Sequence, residues 1–184
     1  MEQKKPTSNQ KEIEALPKIN QQKLLMTMIQ FITGDIFKQD VDVIVNPWNQ
    51  NFIPWLLLIP QGVSGQIKKK AGYKPFQELG YRPMRLGKAR LTSAGKLKFK
   101  GIIHVAGINV FWFATKYSIL ESLKSALEIC KEHQFKSIAI PLIGSGTGNF
   151  NPAKVEKLFA EYFANNPTSI DVKIVKYERK FESK

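Results

Sequence analysis

Two glycine-rich turns are where this chain could first do chemistry. Gln61-Gly62-Val63-Ser64-Gly65 opens a run with Val63, Ile67 and Ala71 at helical spacing. Gly144-Ser145-Gly146-Thr147-Gly148 follows a continuously apolar stretch, SIAIPLI at 137–143, and precedes Asn151-Pro152. Turns of this kind, and the helix N-termini they feed, expose backbone N–H groups that hold phosphate oxygens without a charged side chain. Neither turn is a Walker A loop, since no Gly-Lys-Ser/Thr follows, and neither is Gly-x-Gly-x-x-Gly opening a first βα unit. Each alone is matched by plain loop glycines. Two at the C-terminal ends of parallel strands point to the place where ligands of open α/β sheets collect.

A lone carboxylate and two amides join them. Asp35, in Thr33-Gly34-Asp35-Ile36, follows a strand pattern and has only Asp40, Asp42 and Glu78 as acidic company in 20–110. It can accept from an exocyclic amine or a ribose hydroxyl, and it can equally N-cap a helix. Asn46 and Asn49, in VNPWN, offer donor and acceptor together, which suits a ribose or a positioned water; an Asn-Pro turn explains them as well. His104 lies in a buried-strand pattern and reads as a satisfied core histidine. Cys130 reads as packing, and His133 as a helix C-terminal residue facing the macrodipole.

The elements that must position these groups alternate in type. Strand patterns run over 26–32, 41–45, 90–92, 102–105 and 137–143, with an edge-like strand over 171–177. Helix patterns run over 62–71 with Ser64 as an available N-cap, over 117–133, and from Asn151-Pro152 with Pro at its first position. In the second helix Ile119, Leu120, Leu123, Ala126, Leu127 and Cys130 share a face; in the third, Val155, Leu158, Phe159, Tyr162 and Phe163 do. The alternation predicts a three-layer α/β/α domain around a mostly parallel sheet. Residues 1–22, rich in Gln, Lys, Glu and Asn, read as a mobile polar tail ahead of one domain over 23–184.

Composition narrows the function classes. Lys plus Arg number 28 against 15 for Asp plus Glu, a formal charge of +13 that favours an anionic partner. One cysteine excludes a disulfide framework and a cysteine-rich zinc site, and no metal site is expected. The longest apolar run, 53–60, is too short to span a bilayer, and no basic-then-apolar leader precedes it, so a cytoplasmic, reducing location is expected. Eleven basic residues stand in 68–100 against one acid, Glu78. They read as a solvated basic face or as a field that draws in polyanions such as RNA or poly(ADP-ribose). The apolar segment 52–60 reads as a hydrophobic lid packed on Trp112 and Phe113, with a dimer contact or a membrane contact as the other readings.

Six segments in register carry a resemblance. GDI at 34–36, DVIVNPWN at 42–49, GVSGQIKKKAG at 62–72, ARLTSAGKL at 89–97, IIHVAG at 102–107 and IPLIGSGTGNF at 140–150 together resemble the macro domain, an ADP-ribose-binding module, over residues 24–178. The resemblance implies an α/β/α sandwich with a mixed, mostly parallel sheet, no cofactor, and ADP-ribose or an ADP-ribosylated protein as ligand. It would give Asp35 the adenine amino group, with the Ile36 backbone beside it and Tyr177 flanking the ring. Gly62, Val63, Ser64 and Gly65 would form the first phosphate loop. Ile143, Gly144, Ser145, Gly146, Thr147 and Gly148 would form the second, with Phe150 near the distal ribose. Asn49, with Asn46 at the same sheet edge, would face that ribose, and Asn49 would be the residue orienting water if the domain turns over. Hydrolytic relatives carry Gly-Gly-Gly-Val-Asp in the first loop, where this chain has Pro60-Gln61-Gly62-Val63-Ser64, so the base of that route is absent. The resemblance therefore implies binding more firmly than an ADP-ribosyl glycohydrolase or deacylase. The rival reading is a basic nucleic-acid-binding domain that lacks a working nucleotide site.

Overall fold

The computed structural model describes residues 29–50 and 62–177. The polar tail, the start of the first predicted strand, the apolar segment 52–60 and Gln61 lie outside them. Strands are β1 (Ile29–Thr33), β2 (Val43–Asn49), β3 (Ala89–Thr92), β4 (Gly101–Ile108), β5 (Ser137–Pro141) and β6 (Asp171–Lys176). Helices are α1 (Gly62–Ala71), α2 (Lys74–Leu79), α3 (Lys116–Glu132) and α4 (Pro152–Asn165), with a 3-10 turn at Ile36–Lys38.

The strands form one sheet in the order β1-β6-β5-β2-β4-β3. Every pairing is parallel except β3 with β4. Alternation along the central strands sends Val43, Val45, Ile103, Val105, Ile138 and Ile140 to one face, where α3 and α4 cover them. Ile44, Ile102 and Ala139 point to the other, against Ile67 and Ala71 of α1 and Phe76 of α2. Both faces of the sheet are thus buried, as the apolar runs VDVIV and SIAIP require. This is the expected α/β/α sandwich with a mixed, mostly parallel sheet.

Helix ends follow their local chemistry. Asn151 caps α4 by accepting from the Lys154 N–H, with Pro152 at the first helical position. Thr115 and Ser118 form a reciprocal capping box on α3, and Ser118 Oγ also donates to the Gly107 carbonyl at the end of β4. Asp42 clamps the bottom of the sheet. Its carboxylate accepts from the Lys136 N–H at 2.6 Å and lies 2.7 Å from Lys100 Nζ, while its own N–H donates to Ser137 Oγ.

Four expectations need correcting. β6 is not at the edge: it lies between β1 and β5, and Lys173 escapes burial by reaching the Asp40 carbonyl at 3.0 Å. Asn46-Pro47 makes no turn, because β2 continues through it to Asn49. Ser64 is no N-cap, and Gly62–Gly65 is no loop: α1 already includes Gly62, and Ser64 is buried in its first turn. The six-residue α2, starting Lys74-Pro75, has no counterpart among the predicted elements.

The proline in β2 has a structural consequence. β2 pairs with β5 only at Val43 and Ile44, but with β4 along its whole length. Beyond Ile44 the two strands part, so Pro47 gives up no ladder bond to β5 and the sheet opens there.

Partial burial pushes the Asp42 carboxyl up, but the Lys100 ammonium and the Lys136 and Ser137 contacts outweigh it and hold it below the ordinary range. A depressed folded value stabilises the fold above the unfolded carboxylate range and is lost as pH falls through the folded value. Asp42→Asn is therefore expected to cost about 1.5–3 kcal/mol at pH 7, the range for hydrogen bonds to a charged group. Urea unfolding of both proteins at pH 7 and near pH 3 should show that gap narrowing in acid.

Candidate functional site

The opening between β2 and β5 becomes a cleft of about 480 Å³. Pro47 of β2, Pro141 and Leu142 after β5, and Val175, Lys176 and Tyr177 at the end of β6 form its floor and one side. Gly62, Val63 and Gln66 of α1 face the loop Gly144–Thr147 across it. β2 leads into α1 on one face of the sheet and β5 into α4 on the other, so the cleft sits where neighbouring strands send their connections opposite ways.

The loop between β5 and α4 is built to expose N–H groups. Ser145 N–H and Oγ both turn back to the Leu142 carbonyl, Phe150 N–H donates to the Gly144 carbonyl, and Ala114 N–H donates to that of Gly148. Among the described residues, the N–H groups of Gly146, Thr147 and Gly148 take part in no hydrogen bond. Gly144 has φ +80, and a Cβ there would stand 2.4 Å from the Ala114 Cβ, so only glycine makes this turn. Opposite, the first N–H groups of α1 have no acceptor within the helix and carry its positive dipole end.

The other candidates divide into two groups. Tyr177 is half exposed at the cleft rim, and the Gly34 N–H to Lys176 carbonyl bond, 2.9 Å, brings Asp35 alongside. Asp35 caps the 3-10 turn, its Oδ1 accepting from Phe37 N–H at 2.9 Å, while Oδ2 lies 3.8 Å from Lys70 Nζ. Asn49 ends β2 in register with Ile108, a residue of the cleft wall. The remaining residues face inward. Ile36 and Ile143 are core side chains, leaving only their backbones for a ligand, and Phe150 packs against the α3–α4 side of the core.

Asn46 is the clear displacement from expectation. Its side chain is fully buried, and Nδ2 donates to His104 Nδ1 at 2.9 Å. That bond makes Nδ1 the acceptor and sends the Nε2 proton to Thr92 Oγ1, also at 2.9 Å. Thr92 in turn donates to the Ser93 carbonyl. Trp48 and Phe76 pack edge-on around the imidazole. Asn46 therefore orients a core histidine, with its Oδ1 left without a partner, and does not line the cleft. Sequence reasoning missed this because the partner strand lies 58 residues away and nothing local to VNPWN announces it. Burial pushes the His104 imidazole down to about 3 and the Cys130 thiol up to about 12, so neither offers a base or a nucleophile.

No carboxylate lines the cleft among the described residues. The arrangement presents unbonded backbone N–H groups, an apolar floor, an aromatic rim and a carboxylate beside that rim. It offers no described proton acceptor for water.

The depressed His104 value keeps the ring neutral down to the acid range. Imidazole NMR should show His104 unresponsive from pH 8 to pH 5. Because the unfolded histidine takes up a proton below about 6.5, stability is full above that pH and falls as pH drops below it, by up to about 1.4 kcal/mol per unit.

Comparison with known proteins places this geometry. The family model described as Macro domain matches residues 45–159. A macro domain-containing protein of Listeria monocytogenes is 36% identical over 143 residues, covering 73% of this chain and 77% of that one. The ADP-ribose glycohydrolase MACROD1 of Rattus norvegicus is 33% identical over 134 residues, which span 71% of this chain but 50% of MACROD1. Among solved structures, a mutant macrodomain of Oceanobacillus iheyensis with ADPR superposes with a TM-score of 0.67 at 25% identity, covering 82% of this chain and 86% of that one. Among the described residues no helix is long and apolar enough to cross a membrane.

Proposed function

The chain belongs to the macro domain family, and on that premise we propose that it binds ADP-ribose, free or attached to a protein, in the cleft between β2 and β5. The observation that carries the proposal is that Gly146 and Thr147, whose N–H groups take part in no hydrogen bond among the described residues, line the cleft together with Gly62 and Val63 at the N-terminus of α1. Two anion-binding walls on either side of a cleft suit a diphosphate. Asp35 keeps acceptor capacity after capping the 3-10 turn, since a carboxylate offers about four lone-pair sites. An adenine amino group would complete it, with Tyr177 against the ring. Asn49, at the end of β2, would face the distal ribose.

Binding comes before turnover in this reading because the described cleft lining has no carboxylate to activate water. A slow hydrolysis would run on water oriented by Asn49, with a phosphate of the bound nucleotide taking its proton. Asn49→Ala would then stop release from an ADP-ribosylated protein while weakening binding only about tenfold or less, the loss of one neutral hydrogen bond.

Calorimetric titration with ADP-ribose tests the proposal. Wild type should bind in the micromolar range. Asp35→Ala should weaken binding roughly tenfold or more, the loss of a hydrogen bond to a charged acceptor. Gly144→Ala, which drives a methyl group into Ala114, should weaken it further. Absence of binding by a folded wild-type protein would refute the proposal.

A further inference from the structure

A second concave surface lies at the other end of α1. An open hollow of about 630 Å³ is ringed by Lys68 and Lys69 of α1, Lys74 of α2 and Lys96 of the β3–β4 loop, with Tyr73 beside them. Its shape is held by backbone. Lys96 N–H donates to the Ala71 carbonyl at 3.0 Å. Gly95, at φ +59, sits where a Cβ would meet that carbonyl at 2.2 Å. The β3–β4 loop is therefore pinned to the end of α1, and lysines distant in sequence face one space.

The charge there is dominated by lysine. Among the described residues the ion pairs nearest this face take Lys70, with Asp35, and Lys100, with Asp42; Lys69, Lys74 and Lys96 make none. The one acid of the stretch, Glu78, accepts from the Ser93 N–H at 2.6 Å and hydroxyl at 2.8 Å and lies within electrostatic reach of Lys74, without forming an ion pair with it. Tyr73 is 57% exposed, with Lys68 Nζ 5.6 Å from its ring centroid.

The geometry points to a binding site for single-stranded nucleic acid, separate from the nucleotide cleft. The lysines would track successive phosphates and Tyr73 would stack a splayed base. Lysines round a hollow suit a flexible anionic backbone, and an exposed aromatic face is of use only to bases freed from a duplex. RNA and DNA share both features, so the site takes either. The hollow lies about 10 Å along α1 from Gly62, by helical rise, so the two sites can be occupied and tested independently.

The test is fluorescence anisotropy with a labelled mixed-sequence 12-mer, as RNA and as DNA, titrated over a range of salt. Both should bind at low salt with similar affinity. The triple variant Lys69→Ala, Lys74→Ala, Lys96→Ala should lose at least tenfold in affinity, and its log K against log salt slope should fall by about 2, at roughly 0.7 per lost contact. Tyr73→Ala should lose about tenfold with the slope unchanged, and should leave binding of the blunt duplex untouched. ADP-ribose binding by calorimetry should be the same in the triple variant as in wild type. Three results would overturn the assignment. One is an equal loss on replacing Lys116, Lys124 and Lys131 of α3, which would mean net charge alone. Another is displacement of the RNA by polyglutamate at matched charge as readily as by unlabelled RNA, which would mean an acidic protein partner. The last is a preference above tenfold for one sugar, which the hollow does not account for.

Discussion

A proline inside a central strand determines where this sheet can open. Pro47 has no N–H to give, and it falls where β2 is bonded on one side only, to β4. On the other side β5 has already turned away after pairing with Val43 and Ile44. Had β2 and β5 stayed paired to their ends, the C-terminal edge would be closed backbone, and Gly144–Thr147 and α1 would have no gap to face across. The cleft is thus less a pocket carved by side chains than a failure of two strands to continue together. The connections leaving on opposite faces then line it with two chain turns.

What fills that gap is polarity of the backbone and not of side chains. Three consecutive N–H groups stand unbonded in the β5–α4 loop among the described residues. At Gly146 and Thr147 that is tolerable because the cleft they line admits water, and in the proposed reading an anion would replace that water without reorganising any side chain. The loop holds its shape through bonds made by its other atoms: Ser145 back to Leu142, Phe150 to Gly144, and Gly148 to Ala114 just before the α3 cap. The buried Asn46–His104–Thr92 chain plays the complementary part. It pairs both ring nitrogens of His104 inside the sheet next to Trp48 and Phe76, tying β2 to β4 and β3 on the side away from β5.

Much of this could be seen in the residues themselves. The apolar faces of α3 and α4, the Asn151-Pro152 start and the doubly buried runs VIV and IAI follow from periodicity and capping alone, and those are local properties. Asp35 as a cap and His104 as a core histidine are legible for the same reason. Misread elements each depend on something outside their own segment. DVKIVK looks like an edge strand because its lysine is polar, yet Lys173 sits inside the sheet by extending to Asp40. Asn-Pro is a turn signal that β2 overrides, since a one-sided strand loses nothing to a proline there. Asn46 has the chemistry of a ribose ligand, and only the register of β2 on β4 places it opposite His104. The six residues of α2 are too few to show a period at all.

The charge distribution along α1 follows a single logic. Its first turn, Gly-Val-Ser-Gly, carries no charge, so the positive end of the helix dipole reaches the cleft undiminished. Its last turn carries Lys68, Lys69 and Lys70, where the dipole is negative and would repel an anion if left bare. The lysines reverse that sign, and Lys70 turns aside to Asp35 and to the face of Phe37, 4.3 Å from its centroid. One ten-residue helix is therefore attractive to anions at both ends, by peptide dipoles at one and by ammonium groups at the other. The two differ in how they respond to salt. Exposed ammonium groups are screened within a Debye length of about 8 Å at physiological ionic strength. N–H groups that contact an anion directly inside a cleft are screened far less, so in the proposed reading the same helix would hold a nucleotide firmly and a polyanion loosely.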